Sequence, residues 1–193
     1  GNYLCAFLLS MIGNTHFWEI SYNVDFLLSV VLGIMFVLNF VVYSRNVHIN
    51  GVSISVSIMR ISLIILLLFS VLIHKEIINS MTSLSILLTL TVSIFLAKAD
   101  KKISIFQLIL LFLISGFTEY IFKLHNSIRI IPDQNFLSFL FISALIFCMI
   151  LIIVKKIKFD KLSFLYGLVL GLPNYYTSFF FMKGLNRLDA VIC

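Results

Sequence analysis

The chain has 193 residues, 61% of them apolar and 11% charged, against about half apolar and a quarter charged in a soluble globular domain. That composition excludes an ordinary soluble domain, and twenty Phe, seven Tyr and one Trp beside two Pro exclude collagen-like and disordered classes. The net charge of +6, from 14 Lys and Arg over 8 Asp and Glu, does not point to nucleic acid, because the basic residues cluster in short gaps between apolar runs.

A helix needs about 17 to 25 apolar residues to cross about 30 Å of hydrocarbon. In chain order, a partial run from Tyr3 to Ile12 comes first, about half a bilayer long. Six complete runs follow: Phe26 to Tyr43, Val52 to Ile73, Met81 to Ala97, Ile103 to Leu124, Asn135 to Val154 and Leu162 to Met182. A last apolar stretch opens at Asp189 and reaches Cys193. The gaps are at most 12 residues long and hold no soluble domain. The expectation is therefore an all-α, polytopic integral membrane helical bundle, in which any activity takes place among the helices or at the bilayer faces. Cys5, Cys148 and Cys193 form no C-x-x-C and read as small apolar filler.

Alternate gaps give eight Lys and Arg on one side, including Lys98, Lys101, Lys102, Lys155, Lys156, Lys158 and Lys161, against five on the other. The positive-inside rule places gaps 98–102 and 155–161 in the cytoplasm.

Charged side chains at mid-span cost about 2.5 to 3.5 kcal/mol on insertion scales, so they face a cavity or a partner. Arg60 lies near the middle of its run and shares a helical stripe with Ser53 and Ser57. It is either a structural, snorkelling cation or a substrate or counter-ion group. Glu119 shares a face with Ser115 and Lys123. It is either the intrahelical partner of Lys123 or a cavity carboxylate able to bind a cation or carry a proton. The last complete run carries Gly167, Gly171, Asn174 and Ser178 on one face, with Pro173 beside Asn174. Its glycines suit close helix packing, whereas Asn174, Tyr175 and Tyr176 are candidates for lining a cavity. Asn39 and Tyr43 are similar candidates on the first complete run. His16, His48, His74 and His125 fall in gaps or at span ends and read as interfacial. There is no P-loop, no G-x-G-x-x-G, no Ser/His/Asp set and no metal-ligand spacing, so neither a cofactor nor a metal is expected.

Laid over one another without gaps, Val30 to Arg45 and Leu168 to Lys183 match Val31, Leu32 and Gly33 with Val169, Leu170 and Gly171, and Arg45 falls on Lys183. The offset is 138 residues and spans five runs, an odd number, so the two helices are expected to point in opposite directions as in inverted-repeat transporters.

NYLCAFLLSMIGN at 2–14, GVSISVSIMRISLIILLLFSVLIHKE at 51–76 and GLVLGLPNYYTSFFFMKGLNRLDAVI at 167–192 together resemble the EamA-like branch of the drug/metabolite transporter superfamily. The resemblance covers nearly the whole chain. It rests on the G-x-x-x-G-x-x-N stretch of Gly167, Gly171 and Asn174 and on the short acidic turn from Ile73 to Glu76. It implies a ten-helix bundle of two inverted five-helix repeats, of which the chain is a fragment truncated at both ends. The fragment holds the second to eighth helices and the start of the ninth, as a single transmembrane domain with its repeat boundary near 98–102. It further implies a secondary transporter of the bacterial inner membrane, not an enzyme. The fourth, sixth and eighth helices line the substrate path in that family, and here they carry Arg60, Glu119 and Asn174. Arg60 and the sidedness of the Lys-rich gaps depart from the family pattern.

These residues are expected to converge on one cavity with Asn39 and Tyr175, binding a small metabolite, zwitterionic or amino-acid-like, with a proton as coupling ion. The competing readings are a membrane-embedded enzyme acting on lipid-linked substrates and a structural membrane subunit.

Overall fold

The computed structural model describes residues 1–12, 14, 23–74, 84, 87, 88, 91, 104–157 and 160–192. Its helices are α1 (Asn2–Met11), α2 (Val24–Asn50), α3 (Val52–Ile61), α4 (Leu63–His74), α5 (Ile105–Ile128), α6 (Asp133–Val154) and α7 (Lys161–Ile192). Among the described residues there is no strand. A backbone in hydrocarbon can satisfy its N–H and C=O groups only within helices or closed barrels, and these apolar runs are too long for barrel strands.

Four stretches are long and apolar enough to cross a membrane: Val24–Asn50, Val52–Ile73, Ile105–Ile128 and Asp133–Val154. This is a membrane protein by length and composition. Its large apolar side chains on these helices stay exposed, Leu72 at 73% and Ile153 at 71%. A surface of that kind aggregates in water and is satisfied in lipid. The many hydroxyls are tolerated because they bond back to carbonyls of their own helix, as Ser29 does to Phe26, Ser55 to Gly51 and Thr118 to Ile114.

Three sequence expectations change. The run Leu162 to Met182 is helical but does not join the four, because Pro173, Asn174, Tyr175, Tyr176, Thr177 and Ser178 dilute its apolar character. The expected gap at 183–188 is not a gap, and α7 continues to Ile192. A lone Gly184 weakens a helix without ending it, and no proline follows. Between α2 and α3 the expected gap shrinks to Gly51, whose φ of 88° and ψ of 162° break the helix in a conformation open only to glycine. The expected run Met81 to Ala97 and the repeat boundary at 98–102 lie outside the described residues, apart from Leu84, Leu87, Leu88 and Thr91, which are helical.

The chain forms two compact units, Gly1–Val37 with Phe122–Val191, and Leu38–Ile121. In the first, α1 runs antiparallel to α6: Ser138 near the start of α6 donates to the Ser10 carbonyl near the end of α1, and Gln134 reaches the Ile12 carbonyl. Two glycines set the closest crossings. A Cβ on Gly33 of α2 would overlap Leu140, Ser143 and Ala144 of α6, and a Cβ on Gly171 of α7 would overlap Asn2 and Cys5 of α1. Phe36, Phe122, Phe136 and Phe141 interlock edge to face or tilted in the core of this unit.

In the second unit α2 runs antiparallel to α5. Asn46 donates to the Gln107 carbonyl at 2.8 Å, Asn50 donates to the Asn46 side chain at 2.8 Å, and the Ser104 amide donates to Asn50 at 2.7 Å. Gly116 of α5 lets Ile65 of α4 approach, and Phe69 stacks on Tyr120 at 4.6 Å. Between α3 and α4, Ser62 keeps its amide bond to the Ile58 carbonyl at 2.9 Å, its hydroxyl donates to the Met59 carbonyl at 2.6 Å, and its own carbonyl accepts the Ile65 amide, one residue early.

Candidate functional site

The sequence candidates fall into both units. Arg60, Glu119 and Asn39 belong to the second, Asn174 and Tyr175 to the first.

In the second unit, Ser115 of α5 donates to Asn39 Oδ1 of α2 at 2.9 Å, which joins two helices long and apolar enough to cross a membrane. One turn beyond Ser115 on α5 stands Glu119, and its Oε2 is buried with no hydrogen-bond partner. Arg60, in the last turn of α3, has an exposed side chain and lies within electrostatic reach of Glu119. The structure thus places a cation, a carboxylate and an amide–hydroxyl pair in one unit. The stripe expected along α3 is divided: Ser57 is buried, whereas Ser53 and Arg60 are exposed.

In the first unit, Asn174 of α7 donates to Asn2 Oδ1 of α1 at 3.1 Å. Tyr175 is buried and packs against Phe141 and Phe179, so its ring is a core member. Its neighbour Tyr176 is exposed. Gly167 and Gly171 face α1 and take the packing role that their spacing offered.

One cluster has no counterpart in the sequence reading. His125, near the end of α5, is 1% exposed and stacks on Phe136 with centroids 3.8 Å apart. Its Nδ1 lies 3.2 Å from Asp25 Oδ1 and its Nε2 lies 3.5 Å from Asp133 Oδ1. Asp25 is fully buried, and its Oδ2 accepts the amides of Ile130 at 2.6 Å and Ile131 at 3.2 Å. The ring contacts are ion-pair distances without hydrogen-bond alignment. The three residues come from α2, α5 and α6 and lie up to 108 positions apart between Asp25 and Asp133, so no periodicity could link them. The available signal was Asp25 itself, an acid just before a long apolar run.

Among the described residues no group of three or more His, Cys, Asp and Glu has the arrangement to hold a metal ion. Compared with models of known protein families, with characterised proteins and with solved structures, the chain gives no significant match in any of the three.

Proposed function

We propose that this chain is part of a secondary transporter that moves a small metabolite across a membrane by alternating access, with Glu119 as its ion- or proton-binding carboxylate. The observation that carries the proposal is the Glu119 oxygen, buried and unsatisfied in a helix able to cross the bilayer. Such a group is costly in hydrocarbon and is kept where it binds something. Arg60 within reach of Glu119 supplies the opposite charge, and the Asn39–Ser115 pair supplies neutral donors and acceptors close by. A cation and an anion in one site fit a zwitterion, so an amino-acid-like substrate is part of the proposal. The membrane in question is the bacterial inner membrane.

The proposal includes a ten-helix, inverted-repeat architecture. The resemblance to the EamA-like branch supports it, and so does a pair of contacts. The offset of 138 residues that carries Gly33 to Gly171 also carries Asn2 and Cys5 to Leu140 and Ser143. Gly171 packs on Asn2 and Cys5, and Gly33 packs on Leu140 and Ser143. The two crossings exchange under one offset, the pattern that a two-fold relation between α1–α2 and α6–α7 produces.

The test is uptake into proteoliposomes containing the full-length protein, with an imposed pH gradient and a radiolabelled mixture of amino acids as probe. Wild-type protein is expected to accumulate label above protein-free vesicles, and Glu119→Gln to lose most of it while keeping a native elution profile. Uptake by Glu119→Gln equal to wild type removes Glu119 from the mechanism.

A further inference from the structure

We propose that His125 is a proton-binding latch: as an imidazolium it ties Asp25 at the start of α2 and Asp133 at the start of α6 to the end of α5, and it lets one of them go when it loses its proton. The proposal stands apart from the transport reading and uses none of its residues.

The ring geometry comes first. Phe136 stacks on the imidazole with planes 15° apart, and the ring lies between two different carboxylates. Nδ1 lies 3.2 Å from Asp25 Oδ1 and Nε2 lies 3.5 Å from Asp133 Oδ1. A neutral imidazole has one N–H and one lone pair, whereas an imidazolium has two N–H groups. Only the charged ring can meet an anionic oxygen at both ends. In the neutral ring a lone pair faces a carboxylate, and that side is repelled.

The surroundings decide what the charge is for. Asp25 is fully buried and spends Oδ2 on the Ile130 and Ile131 amides, which leaves Oδ1 to His125. A carboxylate removed from water needs a partner of opposite charge. Asp133 is also approached by Arg129, at 3.9 Å from the same Oδ1, but Arg129 is 57% exposed and its pull is screened by solvent. The loop that carries the two amides joins α5 to α6. It begins at Arg129 with a φ of 47°, a left-handed conformation costly for a residue with a Cβ. Asp25 accepts the two amides that follow Arg129, and the His125 backbone carbonyl accepts the Arg129 amide at 2.7 Å. The latch is buried but not aligned, since neither ring nitrogen nor Asp25 Oδ1 makes a hydrogen bond of good geometry. The loop conformation is therefore the element that proton loss biases.

The experiment follows amide exchange at Ile130 and Ile131 in the full chain in detergent micelles, from about pH 5 to about pH 9. Rates are expressed as protection factors, which removes the intrinsic pH dependence of exchange. In the wild type, protection is expected to fall about tenfold on the alkaline side, the size of effect that one charge-assisted contact supplies. In Asp133→Asn the neutral ring can donate Nδ1–H to Asp25 and accept the new amide at Nε2, so protection is expected to stay high across the range. Protection in the wild type that does not change with pH overturns the proposal, whether or not the variant folds. An unchanged alkaline fall in Asp133→Asn overturns it equally.

Discussion

At the scale of single residues, the polar groups of this protein matter because each one in hydrocarbon needs a partner. Asn46 shows this most directly, since it serves the Gln107 carbonyl and Asn50 together. Asn46→Ala is expected to leave both without their bonds and to cost about 1 to 3 kcal/mol, measured by denaturant titration in mixed micelles. Gly51→Ala is expected to cost a similar amount, about 1 to 3 kcal/mol, because any Cβ strains the backbone at that φ and ψ. At the start of α7, Asp160 accepts the Ser163 hydroxyl and amide, and these bonds hold its carboxyl below the ordinary carboxylate range. The folded value is thus the depressed one. The cap contributes above the ordinary carboxylate range and is lost as pH falls through the lowered value, with fraying of the first turn of α7 as the readout by amide exchange. Which residues would be costly in lipid was legible from the chain: Glu119 and Arg60 stand out by charge alone. The contact between Asn39 and Ser115 was not, because the two are 76 positions apart and only the antiparallel run of α2 and α5 brings them together.

At the scale of helices, the two glycine crossings carry the packing. Gly33→Leu and Gly171→Leu each insert a side chain where a neighbouring backbone already stands. Overpacking of this kind costs about 1 to 3 kcal/mol, and the two variants are expected to lose thermal stability to a comparable degree if the crossings are equivalent. A loss confined to one of them, read from melting curves in the same detergent, separates the crossings. Helix existence was readable from run length for α2, α5 and α6, and for α3 with α4 as one run. Helix ends were not. At Gly51 a single residue ends a helix by its dihedral angles, while Gly184 leaves α7 intact although both are glycines in polar stretches. The difference is a backbone conformation that composition does not carry.

At the scale of the whole molecule, the exposed apolar side chains of the four helices long and apolar enough to cross a membrane predict a labelling pattern. Cysteine substitutions at Leu68, Ile109 and Ile153, all exposed apolar positions, are expected to resist a membrane-impermeant maleimide in intact vesicles. A cysteine at Lys156, in the turn after α6, is expected to react from one face only, and the charge bias assigns that face to the cytoplasm. Labelling of Lys156→Cys from the opposite face reverses the orientation without touching the helix assignment.

The amino-acid sequence alone determined the class of solvent this protein requires. Hydrophobic run length is a local property, and a bilayer leaves an apolar run of that length one stable backbone, the helix. It determined also which side chains are expensive there. Tertiary structure decided which of them meet. Phe136 and Asp133 lie within 11 residues of His125, but Asp25 arrives from 100 residues away. That contact depends on the direction and crossing of three helices, set by where Gly33 permits α2 to approach α6 and by the left-handed turn at Arg129. Such contacts depend on three-dimensional packing, to which no single stretch of sequence is sensitive.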